Sequence, residues 1–236
     1  MKIVVEKSHQ TGGVSIRVAD ITKTYHTAAA EVVALDHVTR QFMPGESAAL
    51  MGPSGCGKTS LLNLIGGIDG TTGGSILVDD VDVTKLTERE LENYRLRQVG
   101  YVFQFFNLIP SLTALENLEL PMLIADVSKE DRRARAQALL ERVGLGQKGD
   151  KRPEQLSGGE QQRVAICLAL VNDPPLILAD EPTGNLDSAN NGVITDLLVS
   201  LSKQGKTVIV ATHDPKVAEA FSHIHLMRDG RFVDSD

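Results

Sequence analysis

The chain has 236 residues, 42% hydrophobic and 23% charged, with a net charge of −7. That length suits one large domain or a core carrying a subdomain. The acidic balance argues against a nucleic-acid binder, which would present a basic face, and against docking on anionic lipid through charge alone.

The longest apolar run, Val164 to Val171, falls far short of the roughly 20 residues a membrane-spanning helix needs. Glu6, Lys7, His9 and Gln10 interrupt any apolar stretch at the N-terminus, unlike a signal peptide. Two cysteines, one of them inside a Gly-rich loop, make no disulfide framework and suit a reducing compartment. The expectation is a cytoplasmic protein that reaches a membrane only through a partner.

Residues 1–13 read as a tail, and Val14, Ile16 and Val18 then alternate with Ser15, Arg17 and Ala19 as a half-buried strand. Ser47 to Met51 reads as a strand feeding the Gly-rich loop, and Lys58 to Ile65 as the helix after it. Thr87-x-x-Glu90 is a capping box opening a short helix, and Val99 to Phe103 is another strand. Thr113-x-x-Glu116 and Ser128-x-x-Asp131 each announce a helix, the second closed by Gly144 and Gly146. Nothing between Gln104 and Leu156 reads strongly as a strand, so this stretch is a helical insertion into an α/β core. A helix from Gly159 to about Val171 stops at Asp173-Pro174-Pro175. Leu176–Ala179 and Thr207–Ala211 are continuously apolar, as parallel strands buried on both faces are. A helix from about Ser188 to Lys203 separates them. Asp214-Pro215 starts another helix, and Asp229-Gly230 turns a closing hairpin.

Gly52-Pro53-Ser54-Gly55-Cys56-Gly57-Lys58-Thr59 matches G-x-x-x-x-G-K-[ST] in the required place, after a strand and before a helix. Glycines let the backbone wrap around phosphate, so that successive N–H groups and the helix start face its charge. Lys58 is expected to reach the β- and γ-phosphates, and the Thr59 hydroxyl to bind Mg²⁺; Ser60 follows directly. Asp180 and Glu181 end a buried strand, where open α/β sheets expose their ligand site. Two adjacent carboxylates there call for a cation: Asp180 is expected to hold Mg²⁺ through water, and Glu181 to act as general base. His223 and His225 show no metal-ligand spacing.

Between those two motifs lies Leu156-Ser157-Gly158-Gly159-Glu160-Gln161-Gln162-Arg163. With Gln104 before it and His213 after it, this order resembles the ATPase subunit of ATP-binding cassette (ABC) transporters, from about Ile16 to Phe232. The resemblance implies an α/β P-loop NTPase core with an antiparallel β subdomain and an inserted α-helical subdomain. Residues 14–236 would form that ATPase domain, and about 105–165 the helical part. It implies that Gln104 contacts the metal and the attacking water, and that His213 bonds the γ-phosphate. Tyr25 stands where the family stacks an aromatic ring on adenine, with core packing as the competing reading. It further implies a head-to-tail dimer of two copies with two ATP molecules between them. There Ser157, Gly158 and Gly159 of one copy meet the nucleotide of the other, and Asn185-Leu186-Asp187 crosses the interface.

Phe105 to Asn117 looks like the branch containing lipoprotein-release and macrolide-export ATPases, and Glu181-Pro182-Thr183-Gly184-Asn185-Leu186-Asp187 agrees. In that branch the segment receives a cytoplasmic helix of an integral membrane subunit. Phe105, Phe106, Leu108 and Ile109 would then be a docking patch, unless half of them pack inward. Cys167-Leu168 replaces the usual Ala-Arg. Cys56 is expected to be the reactive thiol and Cys167 the shielded one, the alternative being a Cys56 buried under its loop. The leading function is ATP hydrolysis powering export or extraction of a lipid, lipoprotein, peptide or drug. The alternative is an ATP-gated signalling scaffold that transmits force without moving a solute.

Overall fold

The computed structural model describes residues 12–26, 30–186 and 188–233. Two sheets meet at the phosphate loop. The larger has six strands in the order β10-β9-β3-β8-β7-β6: β3 (Ser47–Met51), β6 (Val99–Val102), β7 (Leu176–Asp180), β8 (Thr207–Thr212), β9 (His223–Arg228) and β10 (Arg231–Val233). All pairs are parallel except β9–β10. Every residue of β7 and β8 is buried, because helices cover both faces. Leu176 and Leu178 pack into one core, with α1 (Lys58–Ile65), while Ile177 and Ala179 pack into the other, against α6 (Ser188–Lys203). Alternation is invisible in such strands since neither face meets water.

The second sheet is antiparallel, β2-β1-β4-β5, built from β1 (Ile16–His26), β2 (Glu31–Phe42), β4 (Gly73–Val78) and β5 (Val81–Asp82). The alternation of residues 14–19 marks only the start of β1; β2, β4 and β5 carry no such mark. Bulges are one reason. The β1–β2 register shifts three times between Val18 and Thr24, and Asp20 and His37 both take left-handed φ angles of 53° and 51°. Their side chains meet at 2.7 Å. A bulge turns the following side chains to the other face and breaks the period of two.

Between Gln104 and Leu156 the structure has no strand. Helices α3 (Ala114–Ile124) and α4 (Lys129–Arg142) pack on α5 (Gly158–Leu170) around a core of their own that includes Leu118, Met122, Leu140, Val164 and Cys167. Thr113 and Ser128 cap α3 and α4 as their sequence predicts. The helix α2 (Glu88–Gln98) begins with the Thr87/Glu90 capping box. Asp214 caps the short α7 (Pro215–Ala218). β6 stops one residue earlier than expected, leaving Phe103 in the loop. Among the described residues no helix is long and apolar enough to cross a membrane.

Candidate active site

Register brings the site together. Met51 pairs with Thr212, Asp180 with Ala211, and Val102 with Ala179, so β3, β8, β7 and β6 end at one edge. Their loops deliver Gly52, His213, Glu181 and Gln104 to the carboxyl end of the sheet, where open α/β folds bind ligands. A cleft of about 260 Å³ there is lined by Ala34, Ser54, Gly55, Gly57, Lys58, Thr59, Ser60, Gln104, Glu181 and His213.

The loop after β3 ends at Gly57, whose φ of 104° suits only glycine; a Cβ would also press on the Ala34 carbonyl at 2.5 Å. No side chain caps α1, so its first amides have no partner within the helix. Far along the chain, the β9–β10 turn buttresses the loop: Gly230 donates its N–H to the Cys56 carbonyl at 3.1 Å, and Asp36 donates to the Gly230 carbonyl at 3.0 Å.

Lys58 is 5% exposed. Its Nζ donates to the carbonyls of Gly52 at 2.7 Å and Pro53 at 3.1 Å and lies 3.8 Å from Glu181 Oε1. Glu181 Oε2 meets His213 Nδ1 at 3.0 Å. One carboxylate thus spans two cationic or cationisable groups. Glu181 takes a φ of 44°, a costly conformation for a side-chain-bearing residue, and its N–H is tied to the Ala211 carbonyl at 2.9 Å. Asp180 accepts from the Thr59 hydroxyl at 3.0 Å. Burial pushes the Asp180 carboxyl above its ordinary value; the Thr59 hydrogen bond and Lys58 oppose this, and the neighbouring Glu181 charge adds to it.

Among the described residues no three His, Cys, Asp or Glu side chains converge as a metal cage. A hydroxyl and one carboxylate fit the cation that takes few protein ligands and completes its shell with water and phosphate, which is Mg²⁺.

The chain matches the family profile "ABC transporter" over residues 35–184. An uncharacterized ABC transporter ATP-binding protein of Thermotoga maritima is 46% identical over 216 residues, covering 92% of each chain. The macrolide export ATP-binding/permease protein MacB of Brucella melitensis is 47% identical over 222 residues; these are 94% of this chain and 34% of that protein. In structure the chain is similar to the ATP-binding cassette MJ0796, solved as a dimer in a post-hydrolysis state bound to ADP and Pi. That match has a TM-score of 0.88 at 43% identity and covers 94% of this chain and 97% of the other.

The chain belongs to the ABC transporter family. It is an ATPase with the P-loop cassette fold, and cassettes of this family power membrane transporters.

Within this ABC ATPase the sequence-predicted residues fall into three places. Lys58, Thr59, Ser60, Ser54, Gly55, Gly57, Gln104, Glu181 and His213 share the cleft, with Asp180 beneath Thr59. Gly52 and Pro53 face Lys58 through their carbonyls. Cys56 is 3% exposed, so the thiol lies under the loop, the alternative to the open, reactive one. Tyr25 stands beside the cleft, its Oη 3.4 Å from Ser60 Oγ.

Ser157, Gly158 and Gly159 are elsewhere, at the start of α5. A Cβ on Gly158 would sit 3.8 Å from both Phe106 and Leu186. Ser157 and Glu160 cap each other: Glu160 Oε2 accepts from the Ser157 N–H at 3.0 Å, and Ser157 Oγ from the Glu160 N–H at 3.4 Å. Lys148 binds Glu160 as well, and together these bonds hold the Glu160 carboxyl below its usual range. Asp187 lies outside the described residues.

The apolar loop divides. Phe105 is 71% exposed and Ile109 also faces solvent, while Leu108 packs on the helical core. Buried Asn117 pins the loop, accepting from the Ile109 N–H at 2.7 Å and donating to carbonyls of Ile109, Leu112 and Thr113. Ala34 in the cleft was not foreseen; an alanine in an unrecognised strand offers no chemical signal.

Proposed function

We propose that this ATPase drives export or extraction of an amphipathic cargo (a lipid, lipoprotein, peptide or drug) through an integral membrane subunit seated at Phe105–Asn117. The observation that carries it is 47% identity to the cassette part of a macrolide export protein over nearly the whole chain. The exposed Phe105, beside loop residues pinned by Asn117, supports a preformed docking patch there. The protein itself is proposed to stay on the cytoplasmic side.

In the catalytic reading the loop amides and the start of α1 cradle the phosphates of ATP, and Lys58 leaves its carbonyl partners for the β- and γ-phosphate oxygens. Thr59 and Asp180 would hold Mg²⁺, which neutralises charge developing on the phosphates. Glu181, released from Lys58, orients a water and takes its proton, while His213 holds Glu181 and the γ-phosphate in register. Gln104, in the same cleft, would contact the metal and the attacking water, and the Phe105–Asn117 loop follows it directly. Tyr25 stacks on the base. Ser157–Gly159 and Asp187 act on the nucleotide of a second copy in a head-to-tail dimer, since α5 starts outside this chain's own cleft.

The test uses inverted membrane vesicles from cells making the chain together with its integral membrane subunit. ATP should drive uptake of a macrolide or lipopeptide, and Glu181→Gln should abolish it. ATP hydrolysis with no movement of either cargo would overturn the export reading.

A further inference from the structure

The geometry points to Lys23 and Asp69 as positioning residues that hold the Tyr25 ring ready for a nucleotide base. This rests on the reading of Tyr25 as the base-stacking ring and adds what aims it.

Lys23 and Tyr25 are two apart on β1, and both side chains reach Asp69. Asp69 lies just after α1, in the loop Ile68-Asp69-Gly70. Tyr25 Oη donates to Asp69 Oδ2 at 2.9 Å. Lys23 Nζ donates to Asp69 Oδ1 and to the Gly70 carbonyl, both at 2.7 Å. The same Nζ stands 4.6 Å from the centroid of the Tyr25 ring, within cation–π range.

Two constraints therefore act on one ring. The hydroxyl is anchored, one face is covered by an ammonium, and the ring, 36% exposed, offers what remains to the solvent beside Ser60. Lys23 is itself 9% exposed, and a buried ammonium keeps its charge only when paired. Burial alone would raise the Asp69 carboxyl, but hydrogen bonds from Lys23, Tyr25 and the Gly70 N–H outweigh it and hold the group below its usual range. Asp69 is thus an anion shared by the ring's hydroxyl and by the cation over its face. A ring fixed before binding loses less freedom when a base lands on it.

Equilibrium affinity for ATP is compared with that for tripolyphosphate, which has the phosphates and no base; the ratio reads the base alone. Tyr25→Ala should lower the preference for ATP by about 5- to 150-fold, the usual worth of one stacked base. Tyr25→Phe, which keeps the ring and loses only the anchor, and Asp69→Asn and Lys23→Met should each lower it by about 3- to 10-fold, a part of that effect. The double variant Tyr25→Phe/Asp69→Asn should lose no more than the larger single, because both break one bond. Tripolyphosphate affinity should hold throughout, which also reports an intact fold. If Tyr25→Ala removes the preference while Tyr25→Phe and Asp69→Asn keep it, the positioning role is overturned and the stacking stands. An unchanged ratio in Tyr25→Ala overturns both. Equal loss of ATP and tripolyphosphate affinity in Lys23→Met and Asp69→Asn assigns those residues to the fold and overturns the inference.

Discussion

The starts of α1 and α5 are both Gly-rich turns into a helix, yet they are finished differently. At α1 the cap is a left-handed glycine with no side-chain bond, and the nearest cation folds back on loop carbonyls. At α5 a serine and a glutamate close the cap on each other and a lysine holds the glutamate. The first start is left open to an anion from its own chain's cleft. The second satisfies part of itself and lies outside that cleft. On the function proposed above, one is a seat and the other a lid for a neighbour's seat, the same local chemistry serving two roles through what its caps leave unmet.

The hardest test of this contrast is Glu181→Gln. Hydrolysis should slow by roughly 10²–10⁴, the usual cost of losing a general base, while ATP binding persists and traps a dimer. Steady turnover with no ATP-dependent dimer by light scattering would remove Glu181 from that role. Adding Lys58→Ala to this variant should abolish the dimer, because an empty seat gives the partner's α5 nothing to meet; an unchanged dimer would separate Lys58 from phosphate.

The closed start is probed by Gly159→Ala. A Cβ there would run into the side-chain amide of Asn190, which also accepts from Arg163 at 3.2 Å. Overpacking of this kind costs about 1–3 kcal/mol, measurable by urea unfolding, and dimer formation should fall more than ATP binding by the monomer. Equal losses of both would erase the distinction between the two starts.

The smallest effect is in thiol labelling. Cys167 is fully buried, its Sγ donating to the Leu139 carbonyl at 3.4 Å, and burial pushes its thiol up to about 12. It should resist maleimide until the protein unfolds. Cys56, under a loop whose Ser54 and Gly55 are exposed, should label slowly and more slowly still with Mg-ATP. Peptide mapping that finds Cys167 labelled first would reverse this order.

What was legible in the sequence follows the same division. The α1 seat could be read because contiguous residues build it: a loop of eight positions carries its own geometry and charge. The buried strands β7 and β8 could be read from unbroken apolar runs. The bulged β1–β2 pair could not, since its left-handed residues Asp20 and His37 interrupt the period on which such reading depends. The hydroxyl–carboxylate–ammonium contact of Tyr25, Asp69 and Lys23 joins a strand to a loop well along the chain. Separation of that kind leaves no local pattern. That part of the Phe105–Ile109 patch packs inward was within reach of the sequence; that Leu108 does so beside an exposed Phe105 was not, because it turns on how Asn117 folds the loop back.

The Gly230–Cys56 hydrogen bond sets an order of events during synthesis. The phosphate loop leaves the ribosome before the turn that braces it, which is made on the order of ten seconds or more later at ordinary rates of translation. A nascent chain halted before β9 carries the whole motif without its rear wall. Ribosome-bound chains of increasing length should therefore gain nucleotide retention in one step, as the β9–β10 hairpin emerges.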